Sequence, residues 1–449
     1  MSQPKRPRPV PPASSSRRAF LGSAAALAGS AALGGCAASG VGADRGAPVP
    51  KGAPRVPLGE GEPIRIGVIG TGGMGSAHLD GMLSARSAGR EKLEIVAVCD
   101  VNAKRVEEAR AKLREGAPDV AVEAYRHYPE LLERDDVHAV LIASPEHWHA
   151  QMAEDAIAAG KDVYLEKPMT LRLPEALRLK QVVDANDAIL QVGTQYMMIP
   201  KYAEARRLIQ AGAIGVPTLS QTSYCRNSRE GEWLYGIDPE VQPGEVLDWE
   251  AWLGLEHGLS KDIPFDTEIY HRWRRYRDFS TGIVGDLLPH QMTPMMWCLE
   301  AGWPVRVTAH GHHLVDKAME NHDQVFLTVS YENGHTMIVA GSTCNENGLA
   351  ELIRGHEANL QLSGNNCVLS PESIFVDDVD PQTIECPGID SQDALRLDWM
   401  RSIRTRGPNA SPVEYGTRMM VICDLATRSM WDGKAWSFDP AGMTARALG

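Results

Sequence analysis

An α/β chain in two parts is predicted by three observations. An apolar run, Ile64 to Ile69, enters a glycine-rich turn, Gly70-Thr71-Gly72-Gly73-Met74-Gly75, and then a helical stretch. Short apolar strands then alternate with helical segments to about residue 190, the order that gives a doubly wound parallel sheet of Rossmann type. Further on come longer strand-like runs and an Asn333-Gly334 hairpin signal, which predict an α+β domain with an open, mostly antiparallel sheet. The chain accordingly divides into a leader (1–35), a flexible linker (36–62), a nucleotide-binding domain (63–190), a second domain (191–390) and a helical C-terminal segment (391–449).

The leader is excluded from fold reasoning. Ser16-Arg17-Arg18-Ala19-Phe20-Leu21 reads as a twin-arginine export signal, followed by an Ala/Gly/Leu-rich run to Gly35. That run lacks the Leu/Ile/Val density of a spanning helix. Leu33-Gly34-Gly35-Cys36 resembles a lipobox, which predicts cleavage before Cys36 and lipidation of its thiol. An ordinary exported protein cleaved nearby is the alternative. The expected location is the periplasm, with the membrane reached only through a lipid anchor at Cys36. Residues 37–62 are rich in Gly, Pro and Ala, the composition of a tether.

The 449 residues carry a formal net charge of −13. Removing the leader takes away Lys5, Arg6, Arg8, Arg17 and Arg18 and no acid, so the mature chain is more negative still. Nucleic acid needs a basic face, and this balance excludes it as a partner; a neutral or cationic ligand is favoured. Eight cysteines are present, Cys36 among them, and the other seven form no C-x-x-C pair. They read as buried free thiols.

Gly70, Gly72 and Gly75 fit G-x-G-x-x-G between a strand and a helix that begins near Met74. The first glycine makes the tight turn and the second lets backbone N–H groups, with those of Gly73 and Met74, approach a pyrophosphate. The third lets helix and strand pack closely. A second strand, Leu93 to Cys99, ends at Asp100. A carboxylate there binds a ribose 2′-hydroxyl and repels a 2′-phosphate, which favours NAD over NADP. The insert Ala85 to Arg90 explains the long spacing from Gly70 to Asp100. The twin-arginine route carries folded proteins, which suits an enzyme that takes up a cofactor before export and retains it.

Helical signals follow in Ala103–Glu115, Tyr128–Glu133 and His149–Ala159, with strands at Ala139–Ala143 and Asp162–Leu165. Two strand-end segments, Ser144-Pro145-Glu146-His147-Trp148-His149 and Glu166-Lys167-Pro168, fall at the sheet edge where such folds bind ligands. Later motifs are Gly193-Thr194-Gln195 and Gly282-x-x-Gly285-Asp286-x-x-x-His290. In this order the motifs resemble the glucose–fructose oxidoreductase / inositol dehydrogenase (Gfo/Idh/MocA) family, in its exported twin-arginine branch.

The resemblance implies that Lys167 is catalytic, aimed by Pro168. It also implies that the open sheet face makes dimer or tetramer contacts and that the C-terminal helices return to the nucleotide domain. Beside a nicotinamide, a Lys167 ammonium can hydrogen-bond the reacting hydroxyl and favour the developing alkoxide. Glu166 positions Lys167 or a ribose. Ser144, Gln195, His147 and Trp148 complete the expected cofactor contacts, with packing an equal alternative for His147 and Trp148.

In the second domain, a helix over Tyr202–Ala211 precedes strands at Val216–Cys225, Val305–Leu314, Val325–Tyr331, His335–Ser342, Asn359–Ser363 and Cys367–Leu369. Between them runs an aromatic-rich excursion, about residues 227–280. Long loops of this kind are often lids, and aromatic faces with polar neighbours suit sugars. Tyr196, His271, Arg274 and Tyr276 are the expected substrate contacts, whereas Trp249 and Trp252 read as packing.

Asp286 and His290, four apart, are expected on one helical face. The carboxylate would orient the imidazole while His290 takes the hydroxyl proton. Pro289 is compatible only with a helix starting close to Asp286. His310, His312 and His313 lack neighbouring carboxylates or cysteines, and no metal is expected. The resulting expectation is an NAD-dependent oxidoreductase acting on a sugar, polyol or glycoside. Two alternatives stay open: a glycosidase working by transient oxidation, elimination and re-reduction, and a non-catalytic sugar-binding protein that holds NAD.

Overall fold

The structure, a computed structural model, describes residue 49 and residues 51–449; the twin-arginine motif and Cys36 lie outside the described residues. Six parallel strands form the first sheet: β1 Ile64–Ile69, β2 Leu93–Cys99, β3 Glu123–Tyr125, β4 Ala139–Ile142, β5 Asp162–Leu165 and β6 Leu190–Val192. Their order is β3-β2-β1-β4-β5-β6. Helices α1 Gly73–Ser87, α2 Ala103–Gly116, α3 Tyr128–Leu132, α4 His149–Ala158 and α5 Leu173–Asn186 connect them. A sheet covered on both faces demands continuous apolar strands, and Ala139–Ile142 is buried at every position. The order reverses beside β1, which opens a crevice at the strands' carboxyl ends. Asn102 caps α2 by accepting the backbone N–H groups of Lys104 (3.0 Å) and Arg105 (3.3 Å).

Two sequence expectations need correction here. The drawn boundary between residues 190 and 191 cuts through β6, which pairs in parallel with β5; the first domain runs past Val192. The stretch from 51 to 62 is not a free tether. Ala53 donates its N–H to the Ala158 carbonyl (2.7 Å) and Gly52 to Asn186 Oδ1 (2.7 Å), and Arg55 pairs with Asp162 (3.6 Å). Gly/Pro composition forecasts irregular backbone, but not where its hydrogen bonds go.

The second sheet has ten strands: β7 Pro217–Cys225, β8 Pro304–His312, β9 Gln324–Tyr331, β10 Thr336–Ser342, β11 Leu352–Gly355, β12 Ala358–Ser363, β13 Asn366–Pro371, β14 Gln382–Glu385, β15 Ala435–Asp439 and β16 Thr444–Leu448. The order is β14-β13-β12-β11-β7-β10-β9-β8-β15-β16, antiparallel except for the parallel β7–β10 pair. Alternation explains its single covered face: Val325, Leu327, Val329 and Tyr331 of β9 are buried while Phe326 and Thr328 are exposed. The remaining helices are α6 Pro200–Gln210, α7 Trp249–Leu253, α8 Thr267–His271, α9 Pro289–Leu299, α10 Ser391–Thr405 and α11 Val413–Asp432.

Helix α10 sends Leu395, Trp399 and Met400 into the first domain's core with Ile64 and Leu79. Helix α11 packs on both α5 and β8. The C-terminal segment is nevertheless not all helical, because β15 and β16 form a hairpin that extends the second sheet. The seven described cysteines are free; Cys99, Cys298, Cys367 and Cys423 are buried, but Cys225, Cys344 and Cys386 are only half-buried, short of the expectation for all seven.

The excursion at 227–280 crosses back to the nucleotide domain as a strap. Ala103 donates its N–H to the Val246 carbonyl (2.8 Å), Asp248 to that of Val101 (3.0 Å), and Asn102 Nδ2 to the Tyr270 hydroxyl (2.8 Å). Lys104 reaches Asp238 (2.6 Å) and Glu240 (2.8 Å). Stacked Trp249 and Trp252, 4.7 Å between centroids, join Leu247, Leu253, Tyr270 and Phe279 in the strap's own apolar cluster.

Candidate active site

A cleft of about 870 Å³ runs from the glycine turn to α9, lined by both domains and by the strap. At one end the glycine turn forms a cradle. A Cβ on Gly70 would stand 2.7 Å from the Ala143 carbonyl, and one on Gly75 would stand 1.9 Å from the Gly70 oxygen. Gly70 also has φ +85°, a conformation that favours glycine. Gly73 meets nothing within 4 Å, so its face is open to a ligand. Gly75 serves the cradle by packing and does not line the cleft, whereas Gly70, Gly72, Gly73 and Met74 do. Asp100 lines it too, its carboxylate accepting backbone N–H groups from Thr71 and Asn102 (2.9 Å each).

At the other end Lys167, Asp286 and His290 meet. The Lys167–Pro168 peptide at the end of β5 is cis. Lys167 Nζ donates to Asp286 Oδ1 (2.8 Å) and to the Asp286 carbonyl (2.8 Å). The same Oδ1 accepts Arg274 Nε (2.9 Å), and Oδ2 accepts Trp233 Nε1 (3.1 Å). Burial opposes the charge on Asp286, but Lys167 and Arg274 outweigh it and hold the carboxyl well below the usual carboxylate range.

The expected Asp286–His290 hydrogen bond is absent. A π turn, Ile283–Leu287, inserts an extra residue before α9 starts at Pro289, so the i, i+4 rule of a regular helix does not apply. Pro289 sits at the helix start, where a missing N–H costs nothing. His290 lies instead between the rings of Tyr196 (5.2 Å) and Tyr224 (5.7 Å). No described group bonds either of its ring nitrogens, and Nδ1 is buried without a partner. Burial and the Lys167 charge push its pKa down to about 3, which keeps the ring neutral.

A family model for an oxidoreductase family with an NAD-binding Rossmann fold matches residues 64–194, and the model for its C-terminal alpha/beta domain matches residues 260–437. The chain belongs to the Gfo/Idh/MocA family. Inositol 2-dehydrogenase of Gluconacetobacter diazotrophicus is 36% identical over 246 residues, covering 54% of this chain and 65% of that protein. The Burkholderia multivorans inositol 2-dehydrogenase is 30% identical over 211 residues, 46% of this chain and 59% of that protein. The chain thus spans less than two thirds of the length of either relative. In fold it resembles levoglucosan dehydrogenase in complex with NADH and L-sorbose (TM-score 0.63, 18% identity, covering 86% of this chain and 99% of that one). An NAD binding oxidoreductase from Klebsiella pneumoniae is similar (TM-score 0.64, 22% identity, 83% and 98%).

The residues present in this Gfo/Idh/MocA chain fit NAD. The open cradle at Gly73 is matched by buried Ser144 Oγ and Gln195 Oε1, two cleft-lining polar atoms that find no partner among the described residues. Trp148 lines the cleft, its indole N–H donating to the Trp252 carbonyl (2.9 Å).

His147 is a packing residue and not a cofactor contact. Its Nε2 also faces the Trp252 carbonyl (2.9 Å), its ring sits edge-on to Phe279 (5.0 Å), and it does not line the cleft. The 3₁₀ turn Glu146–Trp148 sends the two neighbouring rings different ways. Tyr276 likewise belongs to the strap's apolar cluster and not to the cleft. Tyr196 supports His290 from outside the cleft lining, and His271 lines the cleft with both ring nitrogens engaged by Thr267 and Asp238 backbone. Arg274 lines the cleft beside Asp286. His313 rests on its neighbour His322 (4.7 Å) near Trp431.

Three residues of the site carry no sequence signal of their role. His78, fully buried on α1, bonds Glu166 (2.8 Å); although burial raises the Glu166 pKa, this bond and the neighbouring Lys167 charge help bring it below the usual value. His149 sits between the carbonyls of Ser144 (2.9 Å) and Pro168 (2.7 Å), tying the two strand-end loops together. Trp233 holds Asp286 from a backbone with φ +57°. A bulky residue in the left-handed region is rare and clusters at functional sites.

The buried rings make stability depend on pH. Burial pushes His147 down to about 4 and His290 to about 3, whereas in the unfolded chain both titrate near 6.5. Below that value the unfolded chain binds more protons, so stability present above pH 6.5 is lost progressively as pH falls toward 4. Each ring contributes on the order of 3 kcal/mol. Burial raises Glu146 and Glu175 to about 7 and acts in the opposite sense over the same range, so the ring contribution is read by difference. From pH 7.5 to 4.5 the Tm of His147→Asn is expected to fall less steeply than that of the unaltered chain, and parallel profiles would contradict the buried neutral ring.

Proposed function

We propose that the protein oxidises a secondary hydroxyl of a sugar, polyol or glycoside, with NAD as the bound acceptor. The observation that carries this reading is the convergence of Lys167, Asp286 and His290 on the wall of the cleft that holds the glycine cradle. The inositol and levoglucosan dehydrogenases named above support the substrate class. NAD, when bound, supplies the two-electron acceptor for the alcohol. His290, neutral and unpartnered, accepts the hydroxyl proton. Lys167, steadied by both the carboxylate and the carbonyl of Asp286, donates to the substrate oxygen as it becomes alkoxide and then carbonyl. Asp286 fixes Lys167 and Arg274; it does not hold the imidazole. Buried Trp233, bonded to Asp286, and the burial of Asp286 and His290 themselves keep the local dielectric low, which strengthens each of these contacts.

The export reading accompanies this one: a protein carried out already folded would keep the cofactor it folded with and regenerate it in place. Oligomerisation through the half-exposed face of the ten-stranded sheet, where Phe326 and Ile338 are exposed, is part of the same proposal.

The test begins with protein purified without added nucleotide, its bound nucleotide identified after denaturation. Sugars, polyols and aryl glycosides are then supplied while nicotinamide absorbance and aglycone release are followed together. Reduced nicotinamide that accumulates to one equivalent and turns over only with a second carbonyl compound is the expected result. Lys167→Ala is expected to lower that rate about 10³-fold with the nucleotide still bound. Sustained aglycone release without net reduction would instead establish the oxidation–elimination glycosidase. Unchanged ligand binding with no redox at all would mean a binding protein.

A further inference from the structure

Three arginines cluster in the strap at Arg272, Arg274 and Arg275, and the chain treats them differently. Arg272 places Nη1 on both oxygens of Glu268 (2.7 and 2.8 Å) and Nε on the Tyr235 carbonyl (2.8 Å). Arg275 forks onto Asp316 (2.6 and 3.0 Å) and also donates to the Glu232 carbonyl (2.8 Å). Arg274 has a single bond, Nε to Asp286 Oδ1 (2.9 Å). Its two outer nitrogens donate to no described group, and its side chain, 24% exposed, lines the cleft. The guanidinium Cζ lies over the Trp273 ring, 4.1 Å from its centroid, which with the Asp286 bond restrains the group. A planar two-donor edge, held rigid and left without an acceptor, matches a carboxylate.

The charges agree. Asp286 is shared by two cations, Lys167 and Arg274. The nearby carboxylates are engaged elsewhere, Glu166 by His78 (2.8 Å) and Glu146 by Ser280 (2.7 Å), so Arg274 has no acceptor of its own among the described residues. Arg226, also on the cleft wall, is already matched by Glu232 (3.2 Å). The overall negative charge of the chain does not oppose this, since exposed charges are screened beyond roughly 8 Å at physiological salt.

We propose that the substrate is a sugar acid, a uronate or an aldonate. Its carboxylate is clasped by the outer nitrogens of Arg274 while a nearby hydroxyl meets Lys167 and His290. Lys167 and Arg274 bond the same Asp286 oxygen, so the two substrate groups they hold are a few bonds apart on one molecule. This rests on the oxidoreductase reading for its chemistry but not for its binding, and the experiment separates the two.

The nicotinamide-loaded full chain is titrated calorimetrically with glucuronate, galacturonate and gluconate. The uronate methyl esters and gluconamide serve as neutral matches, and turnover of each is read in parallel. The acids are expected to bind at least tenfold more tightly than their neutral partners, with the advantage shrinking as salt is raised. Arg274→Lys, which keeps the charge and removes the two-donor edge, is expected to bring the ratio to within about twofold. Because the readout is a ratio within each protein, a general loss of affinity in the variant does not imitate it. Equal binding of acid and neutral partner, no binding by any acid, or an unchanged ratio in Arg274→Lys would overturn the proposal. Acid-selective binding without turnover would overturn the redox reading and leave the anion site standing.

Discussion

Replacing Asp286 by alanine is expected to abolish turnover and to destabilise the fold by about 3–5 kcal/mol. Asp286 is 6% exposed, and three side chains from separate parts of the chain converge on it: Lys167 after β5, and Trp233 and Arg274 from the strap. Without the carboxylate, two cations face each other with no anion between them and the Trp233 N–H loses its acceptor. Asp286→Asn keeps the shape and one acceptor oxygen but removes the charge, so it is expected to retain more of the stability than alanine while losing activity nearly as completely. Thermal denaturation and single-turnover reduction of bound nicotinamide separate the two effects. An Asp286→Asn protein with native rates would show that Lys167 needs no carboxylate, and would remove the central element of the proposed mechanism.

The second large effect is expected at Gly75. Its missing Cβ leaves room for the Gly70 carbonyl, which would lie only 1.9 Å from an added methyl. Gly75→Ala therefore forces α1 away from the turn, opening the cradle and loosening the β1–α1 junction. Loss of bound NAD on purification is expected, with destabilisation of at least 1–3 kcal/mol. Gly73→Ala is the contrast, since an added Cβ there meets nothing within 4 Å. It is expected to leave Tm unchanged or slightly raised, while the methyl stands on the open face of the cradle and weakens nucleotide binding alone. Equal behaviour of the two variants would contradict the packing role assigned to Gly75.

The parts of the site that sequence makes legible are those where a local pattern has one physical use. A strand, a glycine turn and a helix in succession locate the cradle, and a lysine directly after a strand at the crevice edge locates Lys167. Asp286 and His290 are legible as residues but not in their relation, because the π turn changes the spacing and nothing in Ile283–Leu287 announces it. The partners of Asp286 are invisible for another reason: Trp233 and Arg274 are distant in sequence and meet it only when the strap folds over. His147 and Trp148 look equivalent in a linear reading, and only the 3₁₀ turn sends one into the cleft and the other into Phe279. In the fold, the long alternating strands are read directly. β6 is only three residues long and the terminal β15–β16 hairpin carries few buried residues, so neither stands out, and both gain their place from strands already present.

The strap has a consequence for time as well as for shape. One wall of the cleft is the glycine turn with Asp100 and Arg105; the facing wall includes Asp248, Trp252 and Tyr270 of the strap. These walls are joined by the Ala103–Val246, Val101–Asp248 and Asn102–Tyr270 hydrogen bonds and the Lys104 ion pairs. A dinucleotide lying between them would rest against walls that this set of bonds ties together. Its residence time is then expected to depend on the strap's bonds as well as on how strongly the glycine turn holds phosphate. Substitution of Lys104, whose ammonium reaches only Asp238 and Glu240 of the strap among the described residues, is expected to shorten the stay while leaving the glycine turn as it is.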